Sequence, residues 1–128
     1  LYWKRLMTIY QMKMKMLNHK LDHIAIRVKD MNRAIDYYLD LGFNLEWESP
    51  DWSYFTEGVA LLGPEYNRAD PHFAIDLGSH DELKRKWKEL MDKGYSCCRP
   101  YRHRDGTVSF YTRDTEGNQL EFICYGQT

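Results

Sequence analysis

With 128 residues, 43% hydrophobic and 15% aromatic, the chain has apolar material for one compact core, and a second independent domain is not expected. Its 18 Lys and Arg against 19 Asp and Glu leave a net charge of −1, which supplies no broad field to gather nucleic acid or an anionic membrane, so the expected partner is a small molecule. No apolar run reaches the roughly 20 residues of a bilayer span, and the odd set Cys97, Cys98 and Cys124 makes no disulfide framework, which points to a reducing cytoplasm.

Residues 1–20, LYWKRLMTIYQMKMKMLNHK, read as an N-terminal extension without a targeting signal, since Lys4, Arg5, Lys13 and Lys15 interrupt any apolar core of a leader. Trp3, Leu6, Met7, Tyr10, Met14 and Leu17 recur at helical spacing, which predicts a helix packed on the domain or on a second copy.

From Leu21 the pattern alternates. LDHIAIRV puts His23, Ala25 and Arg27 on one face of a strand and Ile24, Ile26 and Val28 on the other. Asp30 then caps a helix through MNRAIDYYLDLGF, whose stripe of Met31, Ala34, Ile35, Tyr38, Leu39 and Leu41 ends at Gly42. FNLEWE, DWSYFTE and GVALLG follow as three short strands, so the first module, residues 21–66, runs β, α, β, β, β.

The same order restarts in residues 70–126. HFAIDL places His72, Ala74 and Asp76 on one face, so that His72 answers His23 and Ala74 answers Ala25. Ser79 or His80 begins a helix carrying Leu83, Trp87, Leu90 and Met91 and closed by Gly94, with Trp87 read as core. Strands are predicted at YSCCRP, TVSFYTRD and NQLEFICY. The expected fold is α+β: one domain over 21–128, with two tandem βαβββ modules side by side in a curved mixed sheet around a groove.

In the last strand Gln119, Glu121, Ile123 and Tyr125 alternate with Leu120, Phe122 and Cys124, so Glu121 points into the same groove as the two histidines. Two imidazoles and a carboxylate make a three-ligand divalent-metal site with positions left open for substrate or water, and Ala25 and Ala74 leave room beside it.

Three stretches, LDHIAIRVKDMNRAIDYYLDLGF, DPHFAIDL and FYTRDTEGNQLEF, resemble the vicinal oxygen chelate superfamily, the glyoxalase, bleomycin resistance and extradiol dioxygenase group, over Leu21 through Tyr125. The resemblance implies His23, His72 and Glu121 as ligands of one divalent cation, iron(II) or manganese(II) favoured and nickel or zinc possible. It also implies a divalent-metal-dependent enzyme acting on a small oxygen-chelating substrate, and a homodimer.

Glyoxalase I-like members add a fourth ligand from the last strand of the first module, where GVALLG offers Leu61, or Ala60 after a one-residue slip. The dioxygenase-like three-ligand set is therefore favoured, with a glyoxalase I-like lyase or isomerase, or a metal-free protein that sequesters a drug or metabolite, as alternatives. Similarity to the extradiol signature makes Tyr111 and His103 candidates beside Glu121 for catalysis. Tyr101 and Thr115 depart from that signature, no His stands near Glu57, and His103 also reads as part of an exposed loop. Trp52 and Tyr54 are expected in the substrate pocket. Arg27 either meets a substrate anion there or pairs with Asp76, the pairing being preferred.

Overall fold

The computed structural model describes residues 20–126, so the helix expected in the N-terminal extension lies outside the described residues, while Lys20, read as the extension's last residue, begins the first strand. The first module runs β1 (Lys20–Arg27), α1 (Met31–Asp40), β2 (Leu45–Trp47), β3 (Trp52–Phe55) and β4 (Val59–Leu62). The second runs β5 (His72–Asp76), α2 (His80–Asp92), β6 (Tyr101–Arg102), β7 (Val108–Arg113) and β8 (Gln119–Cys124). All eight strands form one mixed sheet in the order β2-β3-β4-β1-β5-β8-β7-β6. The two modules meet at the antiparallel pair β1–β5, and each closes on its own last strand by a parallel pairing, β1 with β4 and β5 with β8.

Local chemistry explains where the helices begin and end. The Asp30 carboxylate accepts from the Arg33 N–H at 3.1 Å, and the Ser79 hydroxyl accepts from the Glu82 N–H at 3.1 Å, each satisfying an otherwise orphaned first-turn donor at a gain of about 1 kcal/mol. Just past the helix ends, Gly42 and Gly94 take φ of +99° and +89°, a conformation that costs a residue with a Cβ.

Both helices cover one face of the sheet. Met31 and Ile35 of α1 pack with Phe55 and Leu61, and Leu83 of α2 with Leu77, Phe110, Phe122 and Cys124. Trp87 joins the second cluster as expected, its indole N–H donating to the Cys98 carbonyl at 3.0 Å. Because alternate strand residues face opposite ways, burying these side chains under the helices turns His23, Ala25, His72, Ala74 and Glu121 together onto the other face.

One predicted strand is displaced. YSCCRP forms only an isolated bridge between Cys97 and Thr112, and the strand falls on Tyr101 and Arg102, which pair with Ser109 and Val108. Pro100 has no N–H to contribute to a ladder, and the turn closed by His103 N–H on Thr107 O at 2.8 Å sets the hairpin register beyond it. Among the described residues no helix is long and apolar enough to cross a membrane.

Candidate metal centre

His23 and His72 approach from the two central strands, and Glu121 from β8, where it pairs with Ala74. Their donor atoms form a nearly equilateral triangle. His23 Nε2 and His72 Nε2 are 3.3 Å apart, and Glu121 Oε1 lies 3.3 Å from the first and 3.2 Å from the second. Three ligands at bonds of about 2.1 Å and near-right angles have edges of about 3.0–3.3 Å, so this triangle fits one face of a divalent cation's coordination shell.

The opposite ring nitrogens show why the triangle needs a positive charge. His72 Nδ1 donates to the Asp70 carbonyl at 2.7 Å, and His23 Nδ1 to the Asp22 carboxylate at 2.7 Å. Each hydrogen bond puts the ring proton on Nδ1 and leaves Nε2 as a lone pair. Two lone pairs and a carboxylate oxygen then converge among groups that are largely buried, an arrangement that repels itself unless a cation or a proton sits between them.

Without a metal, a proton takes that place. Burial pushes the His23 imidazolium down, but hydrogen bonds to Asp22 and Glu121 and the charges of both carboxylates outweigh it, raising His23 to about 9. Burial likewise pushes Glu121 up, and hydrogen bonds and charge from His23 and His72 bring it down to about 2.

Asp22 reaches its neighbour because the β1–β5 register shifts between Leu21 and His23. Strict alternation would turn Asp22 away from His23; the irregularity brings its carboxylate round, where the Tyr125 hydroxyl also donates to it at 2.6 Å. Sequence reasoning gave neither residue a role: the period-two pattern that exposed His23 hid Asp22 before it, and Tyr125, on the face of Glu121 by alternation, shows its role only through its bond to Asp22.

Flanking the triangle on the second module, Tyr111 stands edge-on to His72, ring centroids 5.6 Å apart, with Tyr101 stacked beyond it. Burial, and then the Glu121 charge, push the Tyr111 phenol well above its ordinary value, so it is a neutral hydrogen-bond donor. His103, read from the sequence as loop or site, belongs beside the triangle. Its Nε2 is 2.6 Å from Ser109 Oγ and 3.9 Å from Glu121 Oε2.

On the first module, Tyr54 lies edge-on to His23, centroids 6.3 Å apart, and packs with Tyr66 against Ala25, Ala60 and Leu62. Trp52 stands two residues before Tyr54 on β3, against Trp47 at a centroid distance of 6.2 Å, with 39% of its surface exposed.

The family described as the Glyoxalase/Bleomycin resistance protein/Dioxygenase superfamily matches residues 20–122. The chain belongs to this superfamily.

Relatives span several of the superfamily's chemistries. The glyoxalase domain-containing protein RDO1 of Mycosarcoma maydis is 28% identical over 123 residues, covering 82% of this chain and 68% of that protein. Among solved structures, the 2,2′,3-trihydroxybiphenyl 1,2-dioxygenase of Sphingomonas wittichii RW1 matches with a TM-score of 0.67 at 24% identity, over 86% of this chain and 44% of that one. The Mn(II)-bound glyoxalase of Novosphingobium aromaticivorans matches at 0.70 and 22%, over 82% of this chain and 37% of that one. Methylmalonyl-CoA epimerase of Mycobacterium tuberculosis matches at 0.63 and 20%, over 84% and 88%. This chain therefore spans less than half of the dioxygenase and of the glyoxalase, and at these identities the solved structures share its fold.

Within this superfamily fold, the sheet register decides between Leu61 and Ala60. Ala25 pairs with Ala60, so Ala60 faces the triangle, while Leu61 is buried under α1. No donor stands at that position.

The structure corrects the expected pairing of Arg27 with Asp76. Asp76 pairs with Lys20 at the other end of β1 and accepts from the Gly78 N–H at 2.8 Å. Arg27 instead donates to the carbonyls of Gly63 at 2.6 Å and Tyr66 at 2.7 Å, with Ala69 O at 3.5 Å.

Proposed function

We propose that the chain is a divalent-metal-dependent enzyme in which His23, His72 and Glu121 hold one cation, iron(II) or manganese(II) in preference to nickel or zinc. Its substrate is a small molecule that chelates through two neighbouring oxygens, and dioxygenase-type chemistry is favoured over a lyase or isomerase reaction. The observation that carries this reading is the triangle of 3.2–3.3 Å edges with both Nε2 lone pairs turned inward. Ala60, where a fourth ligand would stand, favours the three-ligand form. A protein that only sequesters a ligand has no use for three converging acceptors.

When bound, the cation supplies Lewis acidity that stabilises negative charge on substrate oxygens. The chain's own groups then divide the remaining work. Asp22 and the Asp70 carbonyl hold the two imidazoles in the ligating tautomer. Tyr111, kept neutral by burial and by Glu121, donates a hydrogen bond to a substrate oxygen. His103 Nε2, bonded to Ser109 Oγ, accepts the proton released by a substrate hydroxyl and holds it close to Glu121. Tyr54 and, toward the edge of the sheet, Trp52 exclude water on the first-module side.

The test is elemental analysis of the protein purified without added metal, beside a His72→Ala variant. Near-stoichiometric metal that the variant loses supports the reading, iron or manganese pointing to dioxygenase chemistry and nickel or zinc to a lyase. A protein that is empty and takes up none of these metals on titration overturns it in favour of metal-free ligand binding.

A further inference from the structure

The sheet face opposite the metal triangle is covered by two helices, and the strip between them is bare. Ile24 lies between His23 and Ala25 on β1, and Phe73 between His72 and Ala74 on β5, so alternation turns both side chains to the helix side. They stand opposite each other across the β1–β5 pair that joins the modules. The α1 cluster takes Ile26 and Val28 from β1, the α2 cluster takes Ile75 from β5, and neither takes Ile24 or Phe73. These two remain 44% and 41% exposed at the centre of the eight-stranded sheet. Large apolar groups on a helix-covered sheet face are ordinarily buried by that layer, so the seam lacks a cover.

We propose that residues 3–17 of this chain supply it, packing as an amphipathic helix over Ile24 and Phe73 between α1 and α2. The segment's sequence suits the place. Trp3, Leu6, Met7, Tyr10, Met14 and Leu17 recur on one helical face. A helix of this length is marginal in water by itself, so the stripe needs a surface to pack on.

Length and connection agree with this seam. From Trp3 to Leu17 the stripe runs about 22 Å as a helix, and β1 beside it runs about 26 Å. Asn18 and His19 alone separate Leu17 from Lys20, where β1 begins. So short a connection suits a helix that folds back along the strand it precedes, and Ile24 lies four residues into that strand.

Charge favours the same occupant. Residues 1–19 hold Lys4, Arg5, Lys13 and Lys15 and no acidic residue, while residues 20–128 hold all 19 Asp and Glu against 14 Lys and Arg. The basic segment is drawn to the acidic body that carries it, and the tether raises its concentration at the seam above that of any separate partner. An anionic membrane would attract the segment and repel the body, and a second copy would bring another excess of acid to the same place.

Hydrogen–deuterium exchange of the full, metal-free chain tests the proposal on wild type and on an Ile24→Ser, Phe73→Ser double variant. In wild type the amides of residues 3–17 should exchange at least about tenfold more slowly than an unfolded chain, independently of protein concentration. In the double variant they should return to within about twofold of the unfolded rate while β7 and β8 keep their protection. Where serine at the seam unfolds the sheet, the contact is read from the other side. A Trp3→Ser, Tyr10→Ser double variant should raise hydroxyl-radical labelling of Phe73 at least about twofold, and unchanged labelling overturns the proposal. Exchange of residues 3–17 at the unfolded rate in wild type also overturns it, as does protection that the folded seam variant keeps. Protection that grows with protein concentration overturns it by giving the seam to a second copy. Protection gained only with phosphatidylserine vesicles overturns it by giving the segment to a lipid surface.

Discussion

Ala60 occupies on β4 the place that Glu121 occupies on β8. Ala25 pairs with Ala60 and Ala74 with Glu121, each across a parallel pair, and the two alanines are themselves related across the central β1–β5 pair, where Ala25 faces His72 and Ala74 faces His23. The modules repeat in backbone and in histidines, and they differ where β8 carries Glu121 and β4 carries Ala60.

Replacing Ala60 by Glu should therefore build a fourth ligand. Ala60 is 7% exposed, so the metal-free variant should melt below wild type because a carboxylate is buried beside Glu121. Metal should restore that stability, bind more tightly than in wild type, and be less open to added acetohydroxamate. Thermal melts with and without manganese, and chelator titration of the loaded protein, check this; unchanged metal and chelator affinities would show that Ala60 does not face the cation.

Asp22 acts through His23. Asp22→Asn removes the charge that fixes the ring proton on Nδ1, and metal affinity should fall about 10- to 100-fold. Tyr125→Phe, which removes only the second hydrogen bond to that carboxylate, should shift it in the same direction by less. Competition against a chelating dye measures both. The pseudo-symmetric His72 is held by a backbone carbonyl, so replacing the side chain of its hydrogen-bond partner Asp70 should not produce the corresponding loss there.

Stability of the metal-free protein should depend on pH on both sides of a plateau. His23 rises from 6.5 to about 9 on folding, so its contribution is fully present below 6.5 and is lost as pH climbs through about 9. Glu121 falls from 4.5 to about 2, so its contribution is present above 4.5 and is lost as pH drops toward about 2. Thermal melts of the metal-free protein should thus be highest between about 4.5 and 6.5. His23→Asn should flatten the alkaline limb, and an alkaline decline identical to wild type in that variant would assign it to another group.

Gly63→Ala should destabilise the fold by about 1–3 kcal/mol, because the new Cβ meets backbone rather than a movable side chain. Urea denaturation reads the loss.

Much of the site could be read along single strands. Alternation in LDHIAIRV, HFAIDL and NQLEFICY already assigns His23, His72 and Glu121 to the face opposite the greasy one, because whichever residues the helices bury, their neighbours must point the other way. The caps at Asp30 and Ser79 and the stops at Gly42 and Gly94 were equally legible, each being settled by interactions within one or two turns.

Relations between segments distant in the chain were not. Whether Leu61 or Ala60 faces the triangle of His23, His72 and Glu121 depends on the offset between β1 and β4, which no local pattern encodes and which the packing of Phe55 and Leu61 under α1 decides. Asp22 turns toward its histidine through an irregularity in pairing with β5, the strand at YSCCRP gave way to one beyond Pro100, and Arg27 found three carbonyls of a linker in place of Asp76. Side-chain periodicity is a property of one strand's own geometry, so the sequence by itself determined which residues share a face. Register and loop path arise from long-range hydrogen bonds and core packing, so only the tertiary structure decided which of those residues meet.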